Sequence, residues 1–192
     1  MSPRGAVSSR PAASDLAAAV DRGATVPDVA ARGLDVLFCG INPGRWSGAV
    51  GHHFAHPGNR FWKAIHLAGF TDRQLDPAEE RLLVDYGIGI TNLVGRTTAA
   101  AADLDARELR EGVAALERKV RRLRPRTVAF LGMGAFRIAF GRQRVAAGRQ
   151  PEPLAGAAVW VLPNPSGLQA TYGLDQLVDQ LRELRDFVRG ER

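Results

Sequence analysis

Short apolar runs alternate with amphipathic segments along the chain, and this alternation is typical of an α/β protein. Runs rich in β-branched and aromatic residues predict strands at 35–39, 87–94, 127–131 and 157–162. Apolar positions spaced three or four apart predict helices over 60–68, 77–86, 105–123 and 173–188, and a short helix through Phe136 and Phe140. This order predicts a mostly parallel sheet covered by helices on both faces, with the loops that follow the strands along one edge.

The segments between these elements carry turn and capping signals. Asn59 is expected to cap the helix over 60–68, while Asp76 with Glu79 and Asp105 with Glu108 form capping-box patterns. The connections at 40–57, 99–102 and 142–156 lack a sustained apolar period and are expected to be loops. Residues 1–25 are expected to form a loosely ordered arm, with a short helix over 15–20 as an option, and residues 26–192 a single domain.

Composition narrows the function classes. The chain has 192 residues with 45% hydrophobic content, and no apolar run approaches the ~20 residues of a membrane span, so we expect a soluble protein. Its single cysteine, Cys39, lies in a predicted strand and is expected to be buried and inert. No signal-peptide pattern is seen at the start, and a cytoplasmic location is expected.

The charge balance favours an anionic partner. The net charge is +6, and because only two of the 26 basic residues are lysines, 26 − 2 = 24 are arginines. Guanidinium groups match phosphate geometry, so nucleic acid is a plausible partner. The arginine-rich stretch 118–124 is nevertheless interpreted as a solvated helix face, and Arg4, Arg10 and Arg22 belong either to a DNA-holding arm or to a disposable tail.

Two polar loops follow predicted strands. Gly40-Ile41-Asn42-Pro43-Gly44 places one hydrogen-bonding side chain, Asn42, at the end of the first strand, where open α/β sheets bind ligands. The same pentapeptide is also compatible with an ordinary turn. Pro163-Asn164-Pro165-Ser166-Gly167-Leu168 has the same character after the last predicted strand.

These loops, with 51–59 and 92–98, are expected to converge on one crevice. They contain no serine or cysteine in a nucleophile arrangement. His52, His53 and His56 lack the further ligands of a metal site, so no metal is expected. Gly132-Met133-Gly134 lacks the third glycine of a dinucleotide fingerprint, since Arg137 stands there, and no nucleotide cofactor is expected either.

Several of these blocks together resemble the mismatch-specific uracil-DNA glycosylase and thymine-DNA glycosylase family. The blocks are 40–44, 51–63, 87–98 and 164–168, within a similarity that runs from about Pro27 to Phe187. The resemblance implies a three-layer αβα sandwich with a short, mostly parallel central sheet. It also implies a cofactor-free, monomeric, monofunctional enzyme that flips a mispaired base out of double-stranded DNA, releases it and leaves an abasic site. Uracil opposite guanine is the expected substrate, with thymine and ethenocytosine as further candidates.

The resemblance also assigns roles to residues. Asn42 would position the attacking water, and Phe54 would stack on the flipped base. Backbone amides near Ile41 and Phe54 would meet its polar edge. The base pocket would comprise Ile41, His53, Phe54, Asn92 and Thr98. Leu168 would fill the gap in the duplex, with the DNA contacted by Asn164, Pro165, Ser166, Gly167, Leu168 and Gln169.

The chain departs from the family pattern at three positions, Arg45, Trp46 and Ala170, the last where an arginine is familiar. His53, Asn92 and Thr98 look closer to the thymine-removing branch, whereas 164–167 looks closer to the bacterial uracil branch, which leaves base preference open. Two other functions are compatible with the sequence: a non-catalytic binder of mismatched or abasic DNA, and a hydrolase of free nucleosides.

Overall fold

A computed structural model describes residues 10–167 and 172–190 of the chain. Its centre is a sheet of five strands in the order β2-β1-β3-β5-β4. The β1–β2, β1–β3 and β3–β5 pairs are parallel, and only β4 runs antiparallel, against β5. The strands are β1 (Val36–Gly40), β2 (Ile88–Asn92), β3 (Thr127–Leu131), β4 (Gly148–Arg149) and β5 (Ala158–Leu162).

Helices cover both faces of this sheet. They are α1 (Ala13–Asp21), α2 (Arg45–Val50), α3 (Phe61–Leu67), α4 (Ala106–Leu123), α5 (Met133–Ala139) and α6 (Leu174–Arg189), with 3₁₀ segments at Pro77–Tyr86 and Ala101–Asp103. Within the described residues no helix combines the length and apolar character that crossing a membrane requires.

The alternating side chains of the strands divide the core into two clusters. Phe38 of β1 packs in the cluster that contains α3 and α6, whereas its neighbour Leu37 packs in the cluster that contains α4 and α5. β1, β2 and β3 are buried along their whole length, as expected for parallel strands covered on both faces. The predicted α/β fold with a mostly parallel central sheet is confirmed.

The expected strands and the helices α3, α4 and α6 are found within two residues of their predicted bounds. α4 keeps the predicted capping box, in which the Asp105 carboxylate accepts a hydrogen bond from the Glu108 N–H at 2.8 Å and the Asp105 N–H donates to Glu108 at 3.1 Å. Such local signals fix helix starts because they satisfy the first free N–H groups.

The structure corrects four expectations. Residues 77–86 are 3₁₀-helical rather than α-helical. The expected loops contain further elements: α2 within 40–57, a 3₁₀ turn at Ala101–Asp103 and β4 within 142–156. The three elements found within expected loops have six, three and two residues. Six residues are fewer than two turns of a helix, and two residues cannot show the alternation of a strand, so the sequence shows no period for them.

The N-terminal segment is ordered over part of its length. Residues 13–21 form α1, which packs against α2, and Ala19 is fully buried. The Ala24 carbonyl accepts hydrogen bonds from both the N–H and the hydroxyl of Thr97, at 2.9 and 2.6 Å. The segment from 13 to 25 therefore supports the loop at 96–98, and α1 contains the short helix that the sequence offered as an option over 15–20.

Candidate active site

A cavity of about 680 Å³ lies at the carboxyl edge of the parallel sheet. The loops after β1, β2 and β5 and the loop between α2 and α3 all contribute to its wall. This is the edge at which open α/β sheets bind ligands. Of the residues singled out from the sequence, the cavity is lined by Ile41, Asn42, His53, Phe54, Asn92, Thr98, Asn164, Ser166 and Gly167.

Among the predicted residues that the structure describes, Pro165 is not part of the cavity wall. Pro165 contributes its backbone carbonyl to a contact behind the cavity wall, where it accepts a hydrogen bond from the Arg60 N–H at 3.0 Å. Leu168, Gln169 and Ala170 lie outside the described residues.

Asn42 is held through the nitrogen of its carboxamide. Nδ2 donates to Thr98 Oγ1 at 2.7 Å, to the Arg96 carbonyl at 3.0 Å and to the Pro43 carbonyl at 3.2 Å. Because carbonyl oxygens only accept, these contacts fix which side of the amide is the nitrogen. Oδ1 has no partner among the described residues, so the carboxamide offers a fixed acceptor at the cavity wall.

The segment that holds Asn42 is itself anchored. Thr98 is almost fully buried, and its hydroxyl donates to the Ala100 carbonyl at 2.7 Å. Arg96 makes a two-point ion pair with Glu108, at 2.6 and 2.9 Å, which lowers the pKa of that carboxyl to about 2. Asn42 is therefore oriented from the start of α4 through the loop at 96–98.

His53 and Asn92 form a buried pair beside the first loop. His53 Nε2 donates to the Pro27 carbonyl at 3.0 Å, which leaves Nδ1 to accept from Asn92 Nδ2 at 3.4 Å. Burial is the main influence on this imidazole and lowers its pKa, against smaller opposing effects of Glu80 and the Pro27 contact. His53 therefore works as a neutral support for Asn92 and not as a cation.

Glu80 anchors the loop that contains His52 and His53, here called the histidine loop. The residue is 6% exposed, and its carboxylate accepts from the His53 N–H at 2.8 Å and from His52 Nδ1 at 3.0 Å. The indole N–H of Trp62 donates to the His53 carbonyl at 3.2 Å. No sequence pattern pointed to Glu80, because its partners lie about 27 residues away along the chain.

Phe54 adopts a left-handed backbone conformation, with φ at 52°. A bulky residue in this region is strained, and such strain is found mostly at functional positions. Its ring packs on Phe61 with 4.3 Å between centroids. At Gly40, an added Cβ would lie 3.4 Å from the Phe54 ring and 2.5 Å from Asn92 Oδ1, so this wall of the cavity requires glycine.

Backbone donors are available at the same place. The N–H groups of Ile41 and Phe54 have no hydrogen-bond acceptor among the described residues. Because both residues line the cavity, these donors suit an electronegative atom of a ligand.

The loop after β5 is organised differently from the loop after β1. Asn164 Oδ1 accepts a hydrogen bond from the Ser166 N–H at 3.0 Å, which closes an Asx turn. Arg60, which the sequence did not single out, donates to the Pro165, Ser166 and Tyr172 carbonyls. The sequence indicates only a helix start in the block 59–63. The contacts of Arg60 could not be predicted, because its partners lie about 110 residues away along the chain.

Arg45 and Trp46, two of the three residues that depart from the family pattern, line the cavity. Arg45 and Trp46 begin α2, and the Trp46 indole packs edge-on against His56 with centroids 5.4 Å apart. Arg10 lies over the indole at 5.9 Å. This part of the cavity wall is therefore aromatic and cationic, which suits contact with nucleic acid.

The described residues contain no group of three histidine, cysteine or acidic side chains placed to hold a metal ion. His52 and His53 are engaged with Glu80, Pro27 and Asn92. Cys39 is buried within β1, and burial raises the pKa of its thiol far above the usual range, so it is not a nucleophile.

The layers, the strand order and the cavity at the carboxyl edge define a three-layer α/β protein with a ligand-sized site at the edge of its sheet. The family model of the uracil DNA glycosylase superfamily matches residues 27–186, and the chain belongs to that superfamily. Members of the superfamily are DNA glycosylases, hydrolases that act in DNA repair, so membership supports DNA glycosylase activity and DNA as the partner.

Proposed function

We propose that the protein releases uracil mispaired with guanine from double-stranded DNA and leaves an abasic site, with thymine and ethenocytosine as further candidate bases. The observation that carries this proposal is Asn42, whose nitrogen is fixed by three acceptors and whose Oδ1 is left open at the wall of the cavity. The target base is stacked in a duplex, so it has to be flipped out before it can reach this cavity.

The flipped base is held by stacking on an aromatic ring and by hydrogen bonds from its polar edge to uncharged groups of the pocket. Phe54 provides the stacking face. Asn92 Oδ1 accepts from N3–H, which uracil and thymine carry and neutral cytosine lacks. The free N–H groups of Ile41 and Phe54 donate to a carbonyl of the base.

The reaction is water addition with departure of the base. As the bond between C1′ and the base nitrogen breaks, its electron pair stays with the base, and the backbone donors stabilise the negative charge. A water held by Asn42 Oδ1 forms the new bond to C1′ and releases its proton to solvent. Because a carboxamide is not a strong base, the water attacks only after the glycosidic bond has largely opened.

The lysine positions support a monofunctional reaction. Lys63 is exposed on α3, and Lys119 pairs with Asp28 at 2.8 Å. Neither lines the cavity, so neither amine is placed to attack the sugar and form a covalent intermediate.

We further propose that Leu168 fills the space left by the flipped base and that backbone around Gly167 and Gln169 meets the unpaired guanine. An apolar wedge offsets part of the unstacking cost, which is on the order of a few kcal/mol. The enzyme would act as a cytoplasmic monomer, with its charge of +6 attracting the phosphate backbone.

The test is a set of duplexes with uracil, thymine or ethenocytosine opposite guanine, incubated with protein and then cleaved with alkali at abasic sites. We expect release from the G·U duplex to be the fastest. Cleavage before alkali treatment would contradict the monofunctional mechanism, and release of none of the three bases would contradict the proposed function. A Leu168→Ala variant is expected to lose more activity on duplex than on single-stranded uracil DNA.

A second candidate is a binder of mismatched or abasic DNA that does not catalyse base release. The neutral character of Asn42 favours it, because an asparagine provides no strong base. A single-turnover assay with protein in excess separates the two, since even a slow glycosylase converts its substrate under that condition whereas a binder leaves the base in place.

A further inference from the structure

Arg60 makes an unusual set of contacts with the loop after β5. Its Nη1 donates to the Tyr172 carbonyl at 2.6 Å, its Nη2 to the Ser166 carbonyl at 3.0 Å and its Nε to the Pro165 carbonyl at 3.4 Å. Its backbone N–H also donates to the Pro165 carbonyl, at 3.0 Å. One side chain therefore binds the chain on both sides of residues 168–171.

The acceptors are all neutral. No acidic side chain within the described residues pairs with this guanidinium. The arginines that do pair with acidic side chains are mostly exposed at the surface. A partly buried cation satisfied only by carbonyls is matched to the shape of the loop, because the rigid fork of the guanidinium fixes its partners in one arrangement. The positive charge is not cancelled, so it also remains favourable to a nearby phosphate.

The segment that precedes α3 and contains Arg60 lies directly against the loop after β5. At Gly167, an added Cβ would lie 2.5 Å from the Gly58 carbonyl oxygen, so the two backbones touch. Asn59 completes the arrangement, since its Oδ1 accepts from the Phe61 N–H at 3.0 Å and orients the start of α3. The first turn of α3 thus provides a rigid support for residues 165–167.

We infer that Arg60 is a positioning residue that holds the carbonyls of Pro165, Ser166 and Tyr172 in one arrangement against the start of α3, so that the described part of the loop after β5 is preorganised for contact with the duplex. The inference rests on the proposed function, because it assumes that the loop after β5 meets DNA. Arg60 is not part of the cavity wall and does not touch the reacting atoms. Its effect is therefore expected on duplex substrates and not on the chemistry itself.

The test variant is Arg60→Lys, which keeps the charge but cannot span three carbonyls with a single nitrogen. The matched control is Arg185→Lys on α6, because Arg185 also donates to a carbonyl of the α3 region, that of Ala68 at 2.6 Å, but lies away from the cavity. Single-turnover base release is measured on a G·U duplex and on single-stranded uracil DNA. We expect Arg60→Lys to lower the duplex rate roughly tenfold and the single-strand rate less than about twofold, as for loss of one or two charge-assisted hydrogen bonds. Arg185→Lys should leave the ratio of the two rates unchanged.

Hydrogen exchange of the free protein gives a readout that is independent of activity. Amides of residues 163–167 and 172–175 are expected to exchange faster in Arg60→Lys than in wild type, with no such change in Arg185→Lys. Equal loss on both substrates, or unchanged exchange, would overturn the role of Arg60. Failure of the wild type to release uracil would instead reject the proposed function, and in that case the exchange comparison still decides whether Arg60 fixes the loop.

Discussion

Two loops on the cavity wall contain the same dipeptide and use it in opposite ways. Asn42-Pro43 follows β1, and Asn164-Pro165 follows β5. Asn42 is bound through Nδ2 and leaves its oxygen open. Asn164 uses its oxygen to accept from the Ser166 N–H, which shapes its own turn.

The difference shows that an Asn-Pro sequence at a strand end does not by itself specify a chemical role. The role depends on which atoms of the carboxamide the surrounding loop has already satisfied. A carboxamide whose donor side is occupied presents an acceptor, which suits a water, whereas one whose acceptor side is occupied stabilises local structure.

The supports of the two loops differ in the same way. The first is held by the neutral hydroxyl of Thr98 and by backbone carbonyls, so none of the groups that bind the Asn42 carboxamide is charged. The second is held by the cation of Arg60. A neutral environment suits a leaving base that becomes negative only during the reaction, and a cationic one suits contact with DNA.

The most direct test of the difference between the two loops is to replace each asparagine by alanine. We expect Asn42→Ala to lower single-turnover release of uracil by on the order of a hundredfold to a thousandfold, the range observed for loss of one fixed polar group in an active site. Asn164→Ala removes only a turn contact and is expected to lower release by roughly fivefold or less.

DNA binding provides the control for both variants. Each should bind a duplex with an abasic site within a few-fold of wild type, because neither asparagine carries charge. Equal effects of the two substitutions on release would show that the loops do not differ in role as their hydrogen bonds indicate.

The next effect in size concerns the support of Asn42. Thr98→Val removes the hydroxyl that accepts from Asn42 Nδ2 while nearly keeping the shape of the side chain, and we expect roughly tenfold slower base release. Thr97→Val is the matched control, because Thr97 is equally buried and also donates to a carbonyl, that of Ala24, but does not contact Asn42.

Thermal melting separates stability from positioning in this pair. Thr98→Val loses two hydrogen bonds of a buried hydroxyl and Thr97→Val loses one, and each variant is expected to be destabilised by about 1–2 kcal/mol. If Thr97→Val slowed release as much as Thr98→Val, loss of stability would explain both, and Thr98 would have no particular role in orienting Asn42.

The contrast between the two loops also shows which features of the structure can be predicted from the sequence. The strands and long helices were predictable because their apolar periods extend over five residues or more and because α4 carries a local capping box. The position of Asn42 at the cavity followed from that order, since the loops after parallel strands share one edge.

Contacts between distant segments were not predictable. Arg60 reaches carbonyls more than 100 positions away, and Glu80 reaches the histidine loop from a 3₁₀ segment. Backbone carbonyls occur at every residue, so a side chain that binds them leaves no complementary pattern in the sequence. The opposite use of Asn42 and Asn164 is invisible for the same reason.

The smallest effect expected is on the pH dependence of stability. Neither asparagine titrates, so this prediction concerns His53, in the loop between α2 and α3. Burial lowers the pKa of His53 from its ordinary value of 6.5. As the pH falls below 6.5, the unfolded chain therefore binds a proton that the native protein does not, and the free energy of unfolding decreases. The slope from this one group is at most about 1.4 kcal/mol per pH unit, and the contribution is fully present only above 6.5.

Denaturant unfolding of wild type and His53→Gln between pH 8 and 5 isolates this contribution, because all other groups cancel in the difference. We expect wild type to lose stability relative to the variant as the pH falls below 6.5, and base release by wild type to fall with it. The link to activity arises because a protonated Nδ1 can no longer accept from Asn92, so the Asn92 carboxamide, which we propose accepts from the N3–H of the base, loses its support. Parallel stability curves would mean that His53 is protonated as easily in the folded protein as in the unfolded one. In that case the neutral support of Asn92, and with it the uncharged character of the base pocket, would have to be abandoned.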